Sequence, residues 1–150
     1  GRNGGKPPET GENKLRNMTS IVADKQDFQV NAGKIAVFFG DMRNFKSIMP
    51  EQVEQWQADE NACSFSIKNL GNLGMQKGTF DPPHHFEFVS NGDSKVDFTL
   101  VFHFSPDIEG RANGYFEIIV EMNPLVEMMA KRPLTNFVNI LTKSFQQNMC

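Results

Sequence analysis

The clearest pattern in the chain is a strict alternation of apolar and polar side chains toward its C-terminal third. Two runs carry it, and their apolar members are Val96, Phe98, Leu100, Phe102 and Phe104, followed by Phe116, Ile118, Val120 and Met122. Successive side chains of a β-strand point to opposite faces, so this period of two predicts strands with one apolar and one polar face. The turn residues Asn91-Gly92-Asp93 before the first run predict an antiparallel connection.

Earlier segments show weaker versions of the same pattern. Apolar residues alternate with polar ones in segments that we interpret as strands near residues 20–30, 53–58, 63–67, 75–80 and 85–89. Residues 69–74 contain two glycines and two asparagines and predict a hairpin turn. Together with the two alternating runs, these segments predict an antiparallel meander of about six to seven strands.

Two other regions repeat their apolar residues every three or four positions, as helices do. Between Ile35 and Met49 the pattern breaks at Gly40-Asp41 and ends at Pro50, which predicts two short helices after the first strand. Beyond Pro124 it predicts one long helix to about residue 147. The apolar face predicted for that helix consists of Leu125, Met128, Met129, Leu134, Phe137, Val138, Leu141 and Phe145.

These elements predict an α+β fold in which the apolar face of the sheet packs on the long C-terminal helix. The residues expected to line the space between them are Trp56, Phe65, Ile67, Phe86, Phe88, Phe98, Leu100, Phe102, Phe104, Phe116, Ile118, Met128, Phe137 and Leu141. The chain has 14 Phe against one Trp and one Tyr, so this interior is rich in wholly apolar rings. Such rings can fill a core or line a ligand cavity, and the pattern alone leaves both interpretations open.

Composition narrows the class of partner. The net charge of −3 and the lack of a long basic run argue against nucleic acid, and no apolar stretch is long enough to predict stable membrane insertion. Two cysteines suit a reducing, cytoplasmic location better than a disulfide framework. Residues 1–17 hold one large apolar residue, Leu15, and are interpreted as a flexible tail.

The order of elements and one local motif carry a resemblance to a known family. Residues 37–50 contain an apolar helix that ends in D-x-x-N-F-x-x-x-x-P, from Asp41 to Pro50. This stretch resembles the helix-pair segment of the START-like, or SRPBCC, helix-grip superfamily, which includes polyketide cyclase/dehydrase-like and Bet v 1-like proteins. The resemblance covers residue 18 to about residue 147, so residues 18–150 are interpreted as one such domain, most similar to small bacterial members.

The resemblance implies a curved sheet wrapped round the C-terminal helix, with a cavity between them. Members of the superfamily hold hydrophobic ligands there, and some are cyclases, hydroxylases or co-chaperones. We therefore expect binding of a small hydrophobic or aromatic molecule, lipid- or polyketide-like. One alternative is a cyclase or dehydratase acting on such a ligand. A second is a protein-interaction or co-chaperone module. Two apolar residues on the outer face, Val101 and Ile119, weakly favour it, and a homodimer would equally explain them.

Candidate catalytic and metal-binding chemistry is sparse. The polar residues of the alternating strands, among them Glu87, His103 and Glu117, fall on the outer face, so no catalytic residue is assigned and no cofactor is expected. His84 and His85 are neighbours in a strand and point apart, and His103 has no ligand near it in sequence, so no metal site is expected. Cys63 alternates with apolar residues and is interpreted as a buried, unreactive thiol. The polar residues expected near a cavity mouth are Arg43, Asn44, Gln57 and Asn123.

Overall fold

Eight antiparallel strands form one sheet in the computed structural model, which describes residues 18–106 and 112–149. The strands are β1 Met18–Val22, β2 Gln26–Phe28, β3 Glu54–Ala58, β4 Ala62–Ile67, β5 Gly71–Asp81, β6 His85–Ser90, β7 Phe98–Ser105 and β8 Ala112–Glu121. Their order across the sheet is β1-β8-β7-β6-β5-β4-β3, with β2 also paired to β8. The predicted meander is confirmed, and the first predicted strand is in fact two strands that share β8 as partner.

The register of the sheet explains its apolar face. Phe86 lies opposite Phe102, which lies opposite Phe116, so three phenyl rings form a row across β6, β7 and β8. All three side chains are buried. Side chains at directly paired positions share a face, so the period of two along each strand becomes one continuous apolar surface.

The hairpin between β4 and β5 is tighter than the sequence predicted. Ile67 pairs with Gly71, so only residues 68–70 make the turn and Asn72 to Gly74 already belong to β5. Asn69 and Gly71 have φ angles of 74° and 85°, a left-handed conformation that glycine and asparagine tolerate best. Two such residues reverse the chain within three positions.

Two helices and one 3₁₀ helix complete the described fold: α1 Ala32–Phe39, the 3₁₀ helix Met42–Ile48, and α2 Pro124–Met149. Each begins at a polar cap. At α1 the Asn31 side chain accepts a hydrogen bond from the Lys34 amide at 3.0 Å. Asp41 caps the 3₁₀ helix and Asn123 caps α2 in the same way. Helix α2 continues through Pro133 to Met149. No helix in the described ranges is both long and apolar enough to cross a membrane.

Helix α2 packs its apolar side chains across the sheet, and one buried hydroxyl adds a hydrogen bond between the two. Thr142 is fully buried; its Oγ1 accepts a hydrogen bond from the Phe116 amide at 3.0 Å and donates one to the Val138 carbonyl at 2.8 Å. This contact lies where β8 changes partner from β1 to β2, and the helix supplies the hydrogen bond that neither strand makes.

The predicted apolar face of α2 is wrong over its first two turns. Leu125, Met128 and Met129 are 70%, 82% and 67% exposed, whereas the side chains facing the sheet are Ala130, Leu134, Phe137, Val138, Leu141 and Phe145. A helix turns about 100° per residue, so Met128 lies about 140° round the helix from Leu141. The step of five from Met129 to Leu134 breaks the helical spacing, and the stripe facing the sheet does not extend back to Met129.

Candidate functional site

Most residues predicted to line a cavity are buried together between the sheet and α2. Of that set, only Trp56, which is half-buried, and Met128, which faces solvent, are not buried. Met128 is therefore not part of the interior. The others belong to one continuous apolar cluster.

One end of this interior is filled by phenyl rings. Phe39 of α1 is fully buried, and its ring centroid lies 5.0 Å from Phe86, 5.2 Å from Phe88 and 4.9 Å from Phe145. These are the separations of rings in direct contact. At this end the rings are a packed core and leave no room for a ligand.

A small, partly enclosed pocket lies farther along α2, beside Ile118, Val120 and Leu134. Its volume is about 20 Å³ and its lining is apolar. Ligand pockets for small molecules usually span about 300–1,000 Å³, whereas this volume holds about one water molecule. This pocket is too small to hold a ligand.

Space of ligand size opens at the edge of that interior, in a groove between α2 and the β4–β5 hairpin. This α2 groove has a volume of about 300 Å³ and is lined by Pro50, Gln52, Val53, Ile67, Lys68, Asn69, Arg132, Pro133, Asn136 and Phe137. Ile67 and Phe137 are buried and form an apolar floor, whereas Lys68 and Arg132 are exposed at the rim.

A stack of three aromatic rings connects the floor of the α2 groove to the edge of the sheet. Trp56 stacks on Phe65 at 6.1 Å, and Phe65 stacks on Phe137 at 5.8 Å, both with an interplanar angle of 23°. Trp56 lies in a bulge of β3 where Gln55 has a φ of 56°. Since bulges re-aim side chains, this one accounts for Trp56 turning onto Phe65.

A larger hollow of about 520 Å³ lies beside the bulge, but its chemistry differs. It is lined by Gln55, Trp56, Gln57, Ser64, Phe65, Asn72 and Asp93, which are mostly amide, hydroxyl and carboxylate side chains. Gln57, predicted near a cavity mouth, lies here. An apolar molecule fits the α2 groove better, because that groove has a buried apolar floor.

The other polar residues predicted near the mouth serve local structure. Arg43 donates two hydrogen bonds to Asp41, at 3.0 and 2.7 Å, and lowers the pKa of that carboxyl to about 2. Asn44 donates to the Phe38 carbonyl at 2.9 Å, and Asn123 caps α2. None of the three lines the α2 groove.

Cys63 is buried, as its alternation with apolar residues predicted. Loss of solvation raises the pKa of its thiol to about 12. A thiol in this state is poorly nucleophilic, because the thiolate is the reactive form.

The outer face of the sheet carries a polar cluster that the sequence analysis missed. Nε2 of His103 lies 2.8 Å from Oε1 of Glu117, and Nε2 of His85 lies 2.6 Å from Oε2 of Glu87. The two imidazole rings are 5.6 Å apart, and His103 also stacks on Tyr115 at 4.8 Å. His103 has no ligand near it in sequence, but strand pairing places His85 and Tyr115 directly opposite it. Counting register outward from the hairpin turns would have revealed these neighbours.

This outer cluster also corrects the interpretation of Val101. It is only 3% exposed, since Glu87 and Glu117 flank it from the two neighbouring strands, and it offers no apolar outer surface. In the described ranges, no three His, Cys, Asp or Glu side chains are placed to hold a metal ion.

Comparison with known proteins places the fold. No protein-family model and no curated protein matches the sequence. Among solved structures, a START superfamily protein from Mycobacterium smegmatis aligns with a TM-score of 0.59 at 11% identity over 88% of this chain and 96% of its own. The chain has the START-like helix-grip fold.

Two further solved structures share this fold. A point mutant of norcoclaurine synthase from Thalictrum flavum, in complex with a transition state analogue, aligns with a TM-score of 0.61 at 10% identity over 87% of this chain and 96% of its own. A conserved protein from Geobacillus kaustophilus aligns with a TM-score of 0.59 at 12% identity over 83% and 91% of the two chains. At these identities the likeness shows the fold, and function has to be argued from the site.

Proposed function

We propose that this START-like protein binds a small hydrophobic or aromatic molecule between the sheet and α2, with the α2 groove as the binding site. The observation that carries the proposal is a groove of about 300 Å³ with a buried apolar floor, Ile67 and Phe137, next to the phenyl-rich interior. Apolar concave surface of this size, rimmed by polar groups, is typical of small-molecule sites.

The fold relatives support the same proposal in a general way. Norcoclaurine synthase, which shares the helix-grip fold, was solved with a transition state analogue bound. The predicted cavity residues then have two roles. Phe65 and Phe137, with Trp56, form the stack beside the groove, and the fully buried rings such as Phe102 hold the sheet against α1 and α2.

The expected affinity follows from the area that such a ligand buries. Removing about 200 Å² of apolar ligand surface from water contributes about 5 kcal/mol. Because association also costs translational and rotational freedom, this contribution limits the dissociation constant to no tighter than about 0.1 mM. Binding studies therefore need ligand concentrations in the millimolar range.

The test uses 2-naphthol, a neutral bicyclic aromatic, titrated into the full chain by isothermal titration calorimetry. We expect one site, and we expect Asn136→Phe to abolish binding because the new ring occupies the groove from an exposed helix position. Gln147→Phe adds the same ring at an exposed position of α2 outside the groove and serves as the control. Equal binding by wild type and Asn136→Phe, or no binding by either, would overturn the proposal.

A further inference from the structure

The rim of the α2 groove carries charge of one sign. Lys68 reaches it from the β4–β5 turn and Arg132 from α2, so each of two opposing elements contributes a cation. No residue that lines the groove is acidic, although the whole chain has a net charge of −3. The groove is thus locally cationic in an acidic protein.

Neither Lys68 nor Arg132 forms an ion pair within residues 18–106 and 112–149. The ion pairs found there involve Arg43, His85 and His103. Lys68 and Arg132 are both exposed, so their charged groups are hydrated and can contact a ligand without breaking an ion pair among the described residues. The rim amides of Asn69 and Asn136 add uncharged hydrogen-bond donors.

These positions suit a molecule with two parts. An apolar body would lie on Ile67 and Phe137, and an anionic head would lie between Lys68 and Arg132. A guanidinium presents a planar pair of N–H donors that matches a carboxylate, and an ammonium adds a mobile point charge. A neutral ligand would leave both cations unused.

We infer that the α2 groove is selective for an amphiphilic acid, an apolar or aromatic molecule that carries one carboxylate; this inference rests on the proposed function of the groove. Exposed ion pairs are weak because water and salt screen them. Two of them together favour the anion over its neutral counterpart by about 2- to 30-fold at low ionic strength.

The experiment compares 2-naphthoate with 2-naphthol, which share the ring system and differ in charge at neutral pH. We expect naphthoate to bind the wild-type chain about tenfold more tightly in dilute buffer and to lose most of that advantage in 0.5 M salt, roughly the concentration at which screening removes exposed pairs. Arg132→Gln and Lys68→Gln should each weaken naphthoate severalfold and weaken naphthol less, so that the ratio of the two affinities falls toward one.

Lys131→Gln is the matched control, because Lys131 is the neighbouring exposed cation on α2 and does not line the groove. It should bind both ligands like the wild type, and circular dichroism should show all three variants folded. Equal affinity for the two ligands would overturn the inference and leave the proposed function standing. Failure of both ligands to bind would remove the proposed function as well.

An anionic lipid headgroup would present the same negative charge to Lys68 and Arg132 as a free acid does. A second experiment therefore distinguishes a free acid from a membrane surface. The chain is sedimented with phosphatidylcholine vesicles that contain phosphatidylglycerol. No cosedimentation, with naphthoate binding in solution, supports the free acid. Cosedimentation that Arg132→Gln abolishes, without naphthoate binding, would overturn the inference in favour of a membrane surface.

Discussion

Replacing Thr142 with valine tests how α2 is fixed to the sheet. Valine has nearly the shape of threonine but has no hydroxyl, so the substitution removes the acceptor of the Phe116 amide and the donor to the Val138 carbonyl. Thr142 is fully buried, so water cannot replace the hydroxyl without a rearrangement. Neither neighbouring strand can replace it, since β1 pairs with residues 117–121 of β8 and β2 with residues 112–114.

The expected cost is that of one buried amide left without a partner. Such a group costs about 1–3 kcal/mol, because its desolvation is no longer compensated. The lost bond to Val138 adds little, since that carbonyl also lies within helix α2. Thr142→Val should therefore lower the free energy of unfolding by about 1–3 kcal/mol. Thr142→Ser, which keeps the hydroxyl and loses a methyl group, should lower it by about 1 kcal/mol or less.

Urea denaturation followed by circular dichroism measures both changes, and amide hydrogen exchange reports on Phe116 directly. The Phe116 amide should exchange faster in Thr142→Val and keep its protection in Thr142→Ser. If the valine variant is as stable as the wild type within about 0.5 kcal/mol, or if serine costs more than valine, the hydrogen bond does not anchor α2 as argued.

Three further outcomes follow from burial and charge. Met128→Ser should change the free energy of unfolding by less than about 0.5 kcal/mol, because the side chain is exposed, whereas Phe137→Ala should cost about 3–5 kcal/mol in the same urea assay; similar costs would contradict the assigned helix faces. The pKa of Asp41 falls from 3.8 to about 2 on folding, so the unfolded chain binds more protons than the folded chain between these pH values. The ionised Asp41 carboxylate therefore stabilises the fold above about pH 4, and this stabilisation is lost as the pH falls to about 2. Acid titrations of wild type and Asp41→Asn should differ in slope only in that window, and a difference confined to neutral pH would contradict the Arg43 pairing. Iodoacetamide at pH 8 should leave Cys63 unmodified until the chain is unfolded, since burial raises its pKa to about 12; rapid labelling of the native peptide in mass spectrometry would contradict its burial.

The strands could be predicted because the alternation of apolar and polar residues indicates both an extended conformation and which side chains share a face. Phe98, Leu100 and Phe102 share a face whatever the partner strand, so their burial follows from the period of two. Helix faces were harder to predict. Met128 lies three residues after Leu125, at helical spacing, but it lies about 140° round the helix from Leu141 and so is not on the stripe that faces the sheet.

Whether the interior is empty or filled could not be read from the strands. The strand pattern predicts which apolar side chains share one face of the sheet, but it does not predict what packs against that face. Phe39 comes from α1 and Phe145 from α2, and their rings occupy the space that the sheet pattern left open for a ligand. Close packing of that kind depends on how the elements are placed in three dimensions.

The candidate site was predicted only in part, for a related reason. Phe65 and Phe137 were expected near a ligand, and they lie beside the α2 groove. Lys68 and Arg132 were not expected there, because the groove exists only where the tight turn at Asn69 meets α2. Contacts between residues far apart in sequence, like those of His103 and Glu117 on the outer face, require the register of the fold.

Chemical-shift mapping tests the central claim most directly, since it locates a bound ligand on the folded chain. Spectra of ¹⁵N-labelled protein are recorded while 2-naphthol is added. We predict that the largest shifts occur at the amides of Asn69, Asn136 and Phe137, which line the α2 groove, with little change at Tyr115 on the outer face. Shifts centred on Tyr115 and His103, or none in the α2 groove, would contradict the account.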